Sequence, residues 1–169
     1  MSTFSSEEQF EDIQNPVDSV EALFGEQGWP YERTGAEEIS ATITGQWCDY
    51  HLRFFWREEG KILQMACMFD LKVPDSKRHE VYETLALLNE RVWLGHFETW
   101  SEENVLMFRH ASIVKTVDEN LGAHLCSELI ETALAECERF YPVFQFVIWA
   151  GKTPDEAIES AMLETMGEA

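Results

Sequence analysis

Residues 46–72 read QWCDYHLRFFWREEGKILQMACMFDLK, and this stretch decides the fold. In its first half the apolar side chains fall on even positions: Cys48, Tyr50, Leu52, Phe54 and Trp56. In its second half they fall on odd ones: Leu63, Met65, Cys67, Phe69 and Leu71. Alternation at period two marks a strand with one buried face. If both sets share that face, facing residues must have numbers with an odd sum. A two-residue loop at Glu59-Gly60, inside the connection Glu58-Glu59-Gly60-Lys61, makes the sum 119. Leu52 then faces Cys67, Phe54 faces Met65, and Trp56 faces Leu63. The stretch therefore predicts a long antiparallel hairpin. It names no reaction.

The hairpin's second face carries Asp49, His51, Arg53 and Arg57, and with them Trp47, Phe55, Ile62, Ala66 and Met68. A fully solvated face rarely holds so many apolar groups. Either the chain's own tail or terminal helix covers them, or they meet a second copy or a protein partner. Trp47, Phe55, Ile62 and Met68 are thus candidate partner-surface residues. Asp49 and Asp70 face each other in this register, an unfavourable pair. Relief by Arg53 or Lys72 is expected rather than a slip in register. Trp93, Phe97 and Trp100 raise the same question of cover, and core burial is expected for them.

Outward from the hairpin, residues 1–14 are polar and acidic and are expected to form a flexible tail, leaving 15–169 as a single domain. Asn15 can cap a first helix, Pro16 suits its first position and Asp18 favours its positive end. Val17, Val20, Leu23 and Phe24 make its apolar stripe, and Gly28 stops it. Short strands follow near 31–33 and 37–44, the second burying Ile39, Ala41 and Ile43. Val73-Pro74-Asp75 opens a second helix, capped by Asp75 or Ser76 and closed by Gly95, with Val81, Leu85, Leu88 and Val92 on one face. Two strands at 96–100 and 105–113 flank a polar turn at 101–104. A long helix begins at Asp118, with Leu121, Leu125, Leu129, Ile130, Ala133, Leu134 and Cys137 toward the core. Pro142 is expected to bend or break it. Thr153-Pro154-Asp155-Glu156 reads as the capping box of a last helix with Ile158, Ala161, Met162 and Thr165 on one side. The order predicts an α+β fold, an antiparallel sheet packed by helices on one face, with a C-terminal helical extension.

Composition excludes several functions. Thirty-two acidic residues against twelve basic ones give a net charge of −20, concentrated in residues 117–169, while residues 46–72 are balanced. Such a surface repels phosphate backbones and anionic headgroups, so neither nucleic acid nor membrane is an expected partner. A basic partner for the acidic C-terminal third is the sharper alternative to a merely solvated surface. No apolar run reaches the roughly 20 residues that span a bilayer, and residues 1–8 lack the pattern of a signal peptide. A cytoplasmic protein is expected. The spacing of Cys48, Cys67, Cys126 and Cys137 suggests no disulfide framework.

The search for chemistry finds little. Glycine-rich phosphate loops and G-x-S-x-G are absent. Cys48 and His51 point to opposite faces of a strand, and His124 and Cys126 diverge on a helix, so neither pair ligates one ion. His79-Glu80 lacks the second histidine of H-E-x-x-H. No catalytic residue, metal or cofactor is expected.

Longer strings carry a resemblance. Asp70-Leu71-Lys72-Val73-Pro74, Leu87-Leu88-Asn89-Glu90-Arg91-Val92-Trp93-Leu94-Gly95-His96-Phe97 and Cys137-Glu138-Arg139-Phe140-Tyr141-Pro142-Val143-Phe144-Gln145-Phe146 resemble the YbjN family, as does Trp149-Ala150-Gly151-Lys152 before the acidic last helix. The likeness runs from about residue 15 to the C-terminus. It implies a bacterial sensory transduction regulator with a fold similar to type III secretion chaperones, and it carries over no catalytic residue. The functional expectation is a non-enzymatic cytoplasmic regulator or adaptor that binds protein, as a homodimer. The alternatives are a small-molecule sensor or enzyme with a pocket between sheet and helices near Trp56, Trp93 and Trp149, and chaperone-like binding of an extended protein substrate.

Overall fold

The computed structural model describes residues 14–115 and 119–167, with side chains over 14–115 and 122–163. The tail proposed for 1–14, apart from Gln14, lies outside the described residues, as do the helix start at Asp118 and the side chains of Leu121 and Thr165. Helix α1 (Pro16–Gln27) is followed by strands β1 (Tyr31–Arg33), β2 (Glu38–Thr44), β3 (Asp49–Arg57) and β4 (Ile62–Lys72). Then come α2 (Arg78–Asn89), β5 (His96–Trp100), β6 (Val105–Ile113), α3 (Glu119–Ile148) and α4 (Pro154–Gly167). The strands form one antiparallel sheet in the order β1-β2-β3-β4-β6-β5. The fold is α+β.

The β3–β4 register is the one expected: Leu52 faces Cys67, Phe54 faces Met65 and Trp56 faces Leu63. Every one of these six side chains is buried, beneath α1 and α3. The connection differs from the expected two-residue loop. The ladder ends at Arg57–Ile62, so four residues make the turn, closed by Lys61 N–H donating to Glu58 O at 3.1 Å. Lys61, not Gly60, takes the left-handed conformation, at φ 49°. Its carbonyl accepts from Val114 N–H at 2.7 Å, which ties the hairpin tip to the end of β6. Two-residue and four-residue turns share a centre, so the register is the same for both.

Local chemistry sets the helix ends. Asn15 caps α1 through Val17 N–H, and Gly28 closes it at φ 68°. Thr153 and Glu156 bond each other's backbone N–H groups at the start of α4, the reciprocal pattern of a capping box. At the second helix the expectation fails. A single 3-10 turn, Asp75–Lys77, precedes α2, and no side chain caps the start of either; Asp75 instead binds Arg78 at 2.6 Å. The helix ends at Asn89, and Gly95 (φ 72°) serves the entry to β5, where a Cβ would overlap the Phe108 ring and the Arg109 carbonyl. Asn89 and Gly95 thus share the boundary assigned to Gly95 alone.

The two ends of the sheet are managed differently. At one end β1 is three residues long, and Arg33 is tied to Asp18 and Glu21 of α1. At the other, Asn89 lies against the outer side of β5: its Oδ1 accepts from Phe97 N–H at 2.8 Å and its Nδ2 donates to Phe97 O at 2.9 Å. One amide side chain therefore does what a neighbouring strand would do, and blunts the edge. Asn89→Ala leaves both Phe97 groups without partners and is expected to lower the unfolding free energy by about 1–3 kcal/mol. Urea denaturation checks this; an unchanged midpoint would contradict it.

Candidate functional site

Pleating sends the other half of the strand residues to the sheet's second face. Cross-strand partners there run Ser40–Arg53–Ala66–Arg109–His96, and beside them Thr42–His51–Met68–Met107–Glu98. Phe55, facing Gln64, and Ile62, facing Ile113, complete the patch. Three of the four candidate residues, Phe55, Ile62 and Met68, share this face, all half-buried. The terminal helix does not cover it, because α4 packs on α3 and α2, and the other helices lie on the core side. Among the described residues the face is open.

Its apolar members are sheltered by each other and by arginines. Arg53 lies over the Phe55 ring, 5.0 Å from its centre, and pairs with Glu38. Arg109 binds both oxygens of Glu98, at 2.5 and 2.6 Å. Between the two arginines sits Ala66, whose small side chain leaves a depression of about 430 Å³ that Met68, Met107 and Trp100 also line. Ala66 is 6 % and Met107 3 % exposed although no helix lies above them. Sequence reasoning missed Met107, Arg109 and Glu98, and expected Trp100 in the core. The signal for the β6 members was that strand's mixed alternation, where Leu106, Met107 and Phe108 are all buried, each on the face its parity assigns.

Asp49 and Asp70 resolve without either expected neighbour. The β3–β4 pairing stops at Tyr50–Phe69, Asp49 faces Thr44, and Arg53 is held by Glu38. Both aspartates are exposed and form no ion pair among the described residues.

Trp47 is elsewhere. It lies in the β2–β3 connection against α3, stacked on Tyr141, and its Nε1 donates to the Glu138 carbonyl at 3.0 Å. That carbonyl is the one the residue-142 N–H would take in an ordinary helix, and Pro142 has none. Glu138 also accepts Gln46 N–H at 2.7 Å through its carboxylate. The expected break at Pro142 therefore does not occur: α3 runs unbroken to Ile148, with its orphaned acceptor satisfied from the sheet side. Trp93 departs from expectation in the other direction. It is 97 % exposed, and Trp100 is half out, while Phe97 alone of the three is in the core. Trp56 is buried and Trp149 exposed, so the pocket expected near Trp56, Trp93 and Trp149 is not assembled.

The remaining chemistry is quiet. All four cysteines are free thiols. Burial raises Cys48 and Cys137, the latter hydrogen-bonded to Cys67, and pushes Cys126 up to about 12, which keeps these thiols protonated and poor nucleophiles. His51 is exposed on the open face, away from Cys48, and His124 is exposed beside Glu128 while Cys126 is buried. Among the described residues no group of three or more His, Cys, Asp or Glu is placed to hold a metal ion, and no helix is long and apolar enough to cross a membrane.

Fold and site together define an α+β domain with one sheet face in the core and the other presented outward. Residues 16–146 match the YbjN family, described as “Putative bacterial sensory transduction regulator”. The chain belongs to that family. Among solved structures it is similar to the crystal structure of YbjN from E. coli, described as a putative transcription regulator. The identity is 10 % and the TM-score 0.46, over 72 % of this chain and 90 % of that one. None of the curated proteins matches.

The Trp47–Pro142 relation is testable by a double-mutant cycle. Trp47→Phe is expected to cost about 1–2 kcal/mol beside Pro142, where Glu138 O then lacks a donor. Beside Pro142→Ala, whose N–H can serve that carbonyl, the cost falls by about 1 kcal/mol. Additive effects in chemical denaturation would contradict the relation.

Proposed function

We propose that the protein is a non-enzymatic cytoplasmic regulator that acts by protein contact, and that its open sheet face joins two copies as a homodimer. The observation that carries this reading is an apolar patch, half-buried Phe55, Ile62 and Met68 around buried Ala66 and Met107, with no described element above it. Burying such a patch against another surface gains about 25 cal/mol for each Å² of apolar area removed from water. Charge favours the same face. In a chain of net charge −20, this side sets Arg53, Arg57, Lys72 and Arg109 against Glu32, Glu38, Asp49, Asp70 and Glu98, close to balance. Two copies repel each other least across a balanced face. The family description supports the regulatory part of the reading.

Phe55→Asp with Met68→Asp places two charges in the patch at half-exposed positions. It is expected to weaken self-association by more than about tenfold in sedimentation velocity, with thermal unfolding nearly unchanged. Identical sedimentation of variant and wild type across concentration would reject the homodimer.

A second reading, small-molecule sensing, is favoured by the depression over Ala66, whose lining has two arginines and one glutamate. A thermal-shift screen with carboxylates, phosphates and metal ions tests it. Stabilisation that Arg109→Ala removes supports it, and no stabilisation by any compound rejects it.

A further inference from the structure

The sheet has a third edge that neither Asn89 nor α1 guards. Strand β5 ends at His96, which faces Arg109, but β6 continues to Ile113 alongside β4. On the β5 side, residues 110–113 have no neighbouring strand among the described residues. The direction of their backbone groups follows from Asn89. Because Asn89 takes both Phe97 groups on the outer side of β5, Phe97 and Phe108 form a non-hydrogen-bonded pair. Phe108 then points its N–H and C=O toward β4, and odd-numbered residues of β6 point theirs toward β5. Val114, an even-numbered residue, agrees by donating to Lys61 O on the β4 side. Ala111 and Ile113 are left with both backbone groups facing the open edge.

Beyond its shortness, this edge carries none of the usual guards. The sequence His110-Ala111-Ser112-Ile113 holds no lysine, proline or bulge, and Ile113 is 66 % exposed. On the helix side, a groove of about 370 Å³ runs between the edge and α3, lined by Leu94, His110, Ser112, Leu125 and Leu129. Glu128 and Glu131, both exposed, and Thr132 complete its lining. The turn bearing Leu94 is seated by the tight packing of Gly95 on Phe108 and Arg109.

We propose that this edge is a docking slot for an extended segment of a partner protein, added antiparallel to β6 in line with β5. The segment's residues opposite Ala111 and Ile113 complete the ladder. The residue between them faces Ser112, so its side chain enters the groove, and an apolar one fits Leu94, Leu125 and Leu129. Two residues further along, on the same side, a lysine or arginine meets Glu128 and Glu131. Charge selects a basic partner rather than a second copy, since a second copy brings glutamates of its own to the same seam. The slot uses the backbone edge and the homodimer the side chains of the face, with Ile113 bordering both.

The test uses the full chain, 15N-labelled, with amide exchange read at single residues. The probe is a nine-residue peptide with threonine at odd positions and valine and arginine in turn at even ones. One control replaces arginine by glutamate, and another N-methylates the threonines. In the free protein Ala111 and Ile113 are expected to exchange fast while His110 and Ser112 exchange slowly. The probe slows Ala111 and Ile113. N-methylation, the glutamate peptide and Glu128→Lys with Glu131→Lys each weaken binding about tenfold or more. Ala111→Pro, which removes only an outward N–H, does the same with the β4 ladder intact. Slow exchange of Ala111 in the free protein overturns the proposal, as does protection that grows with protein concentration alone. So does an absence of probe binding, or binding that N-methylation or Ala111→Pro leaves unchanged.

Discussion

The cross-strand register of β3 and β4 is the constraint on which the rest of the structure depends. Side chains in a strand alternate faces, so a slip of one residue would send Leu52, Phe54, Leu63 and Met65 to solvent. The observed register puts all four in the core and, by the same alternation, leaves Phe55, Ile62 and Met68 on the far side. The open face is therefore set by the pairing that builds the core. Strand β6 inherits this arrangement by pairing with β4, which brings Met107 and Arg109 to the same face.

Two long-range devices hold the frame. At the end of the sheet near Gly45, the β2–β3 connection fastens to α3 where Pro142 has freed a carbonyl. A proline inside a helix costs roughly 3 kcal/mol in isolation, part of it the unsatisfied acceptor. Here Trp47 Nε1 satisfies that acceptor, and Glu138 ties down Gln46 with its side chain. At the β5 edge, Asn89 closes the sheet with one amide. In both places a hydrogen bond that regular structure would provide comes from a distant or unrelated element, and this makes the position of the helices relative to the sheet specific.

Those devices also mark where the sequence was legible and where it was not. The hairpin register, the capping of α1 by Asn15 and the box at Thr153–Glu156 are local, because alternation or a spacing of a few residues determines them. Of the bend or break expected at Pro142, the break does not occur, and the compensating donor that keeps α3 continuous lies 91 residues away. The start of α2 was misjudged because Asp75 prefers Arg78 to the helix backbone. The candidate surface was partly legible. Parity identified Phe55, Ile62 and Met68, but Trp47 was assigned to the open face although β3 begins two residues later. Met107, Arg109 and Glu98 could not be attached to that face until the pairing of β4 with β6 was known. Trp93 looked like core because tryptophan usually is; its exposure depends on the turn held between Asn89 and Gly95, which no periodicity announces.

The central claim is that one sheet face builds the fold and the other makes contact between molecules. Hydroxyl-radical footprinting of the wild-type chain, compared at dilute and concentrated protein, tests it most directly. The account predicts that Phe55, Ile62 and Met68 lose reactivity as concentration rises, while Trp93 and Trp149 keep theirs. Equal reactivity of Phe55 and Met68 at both concentrations would contradict it.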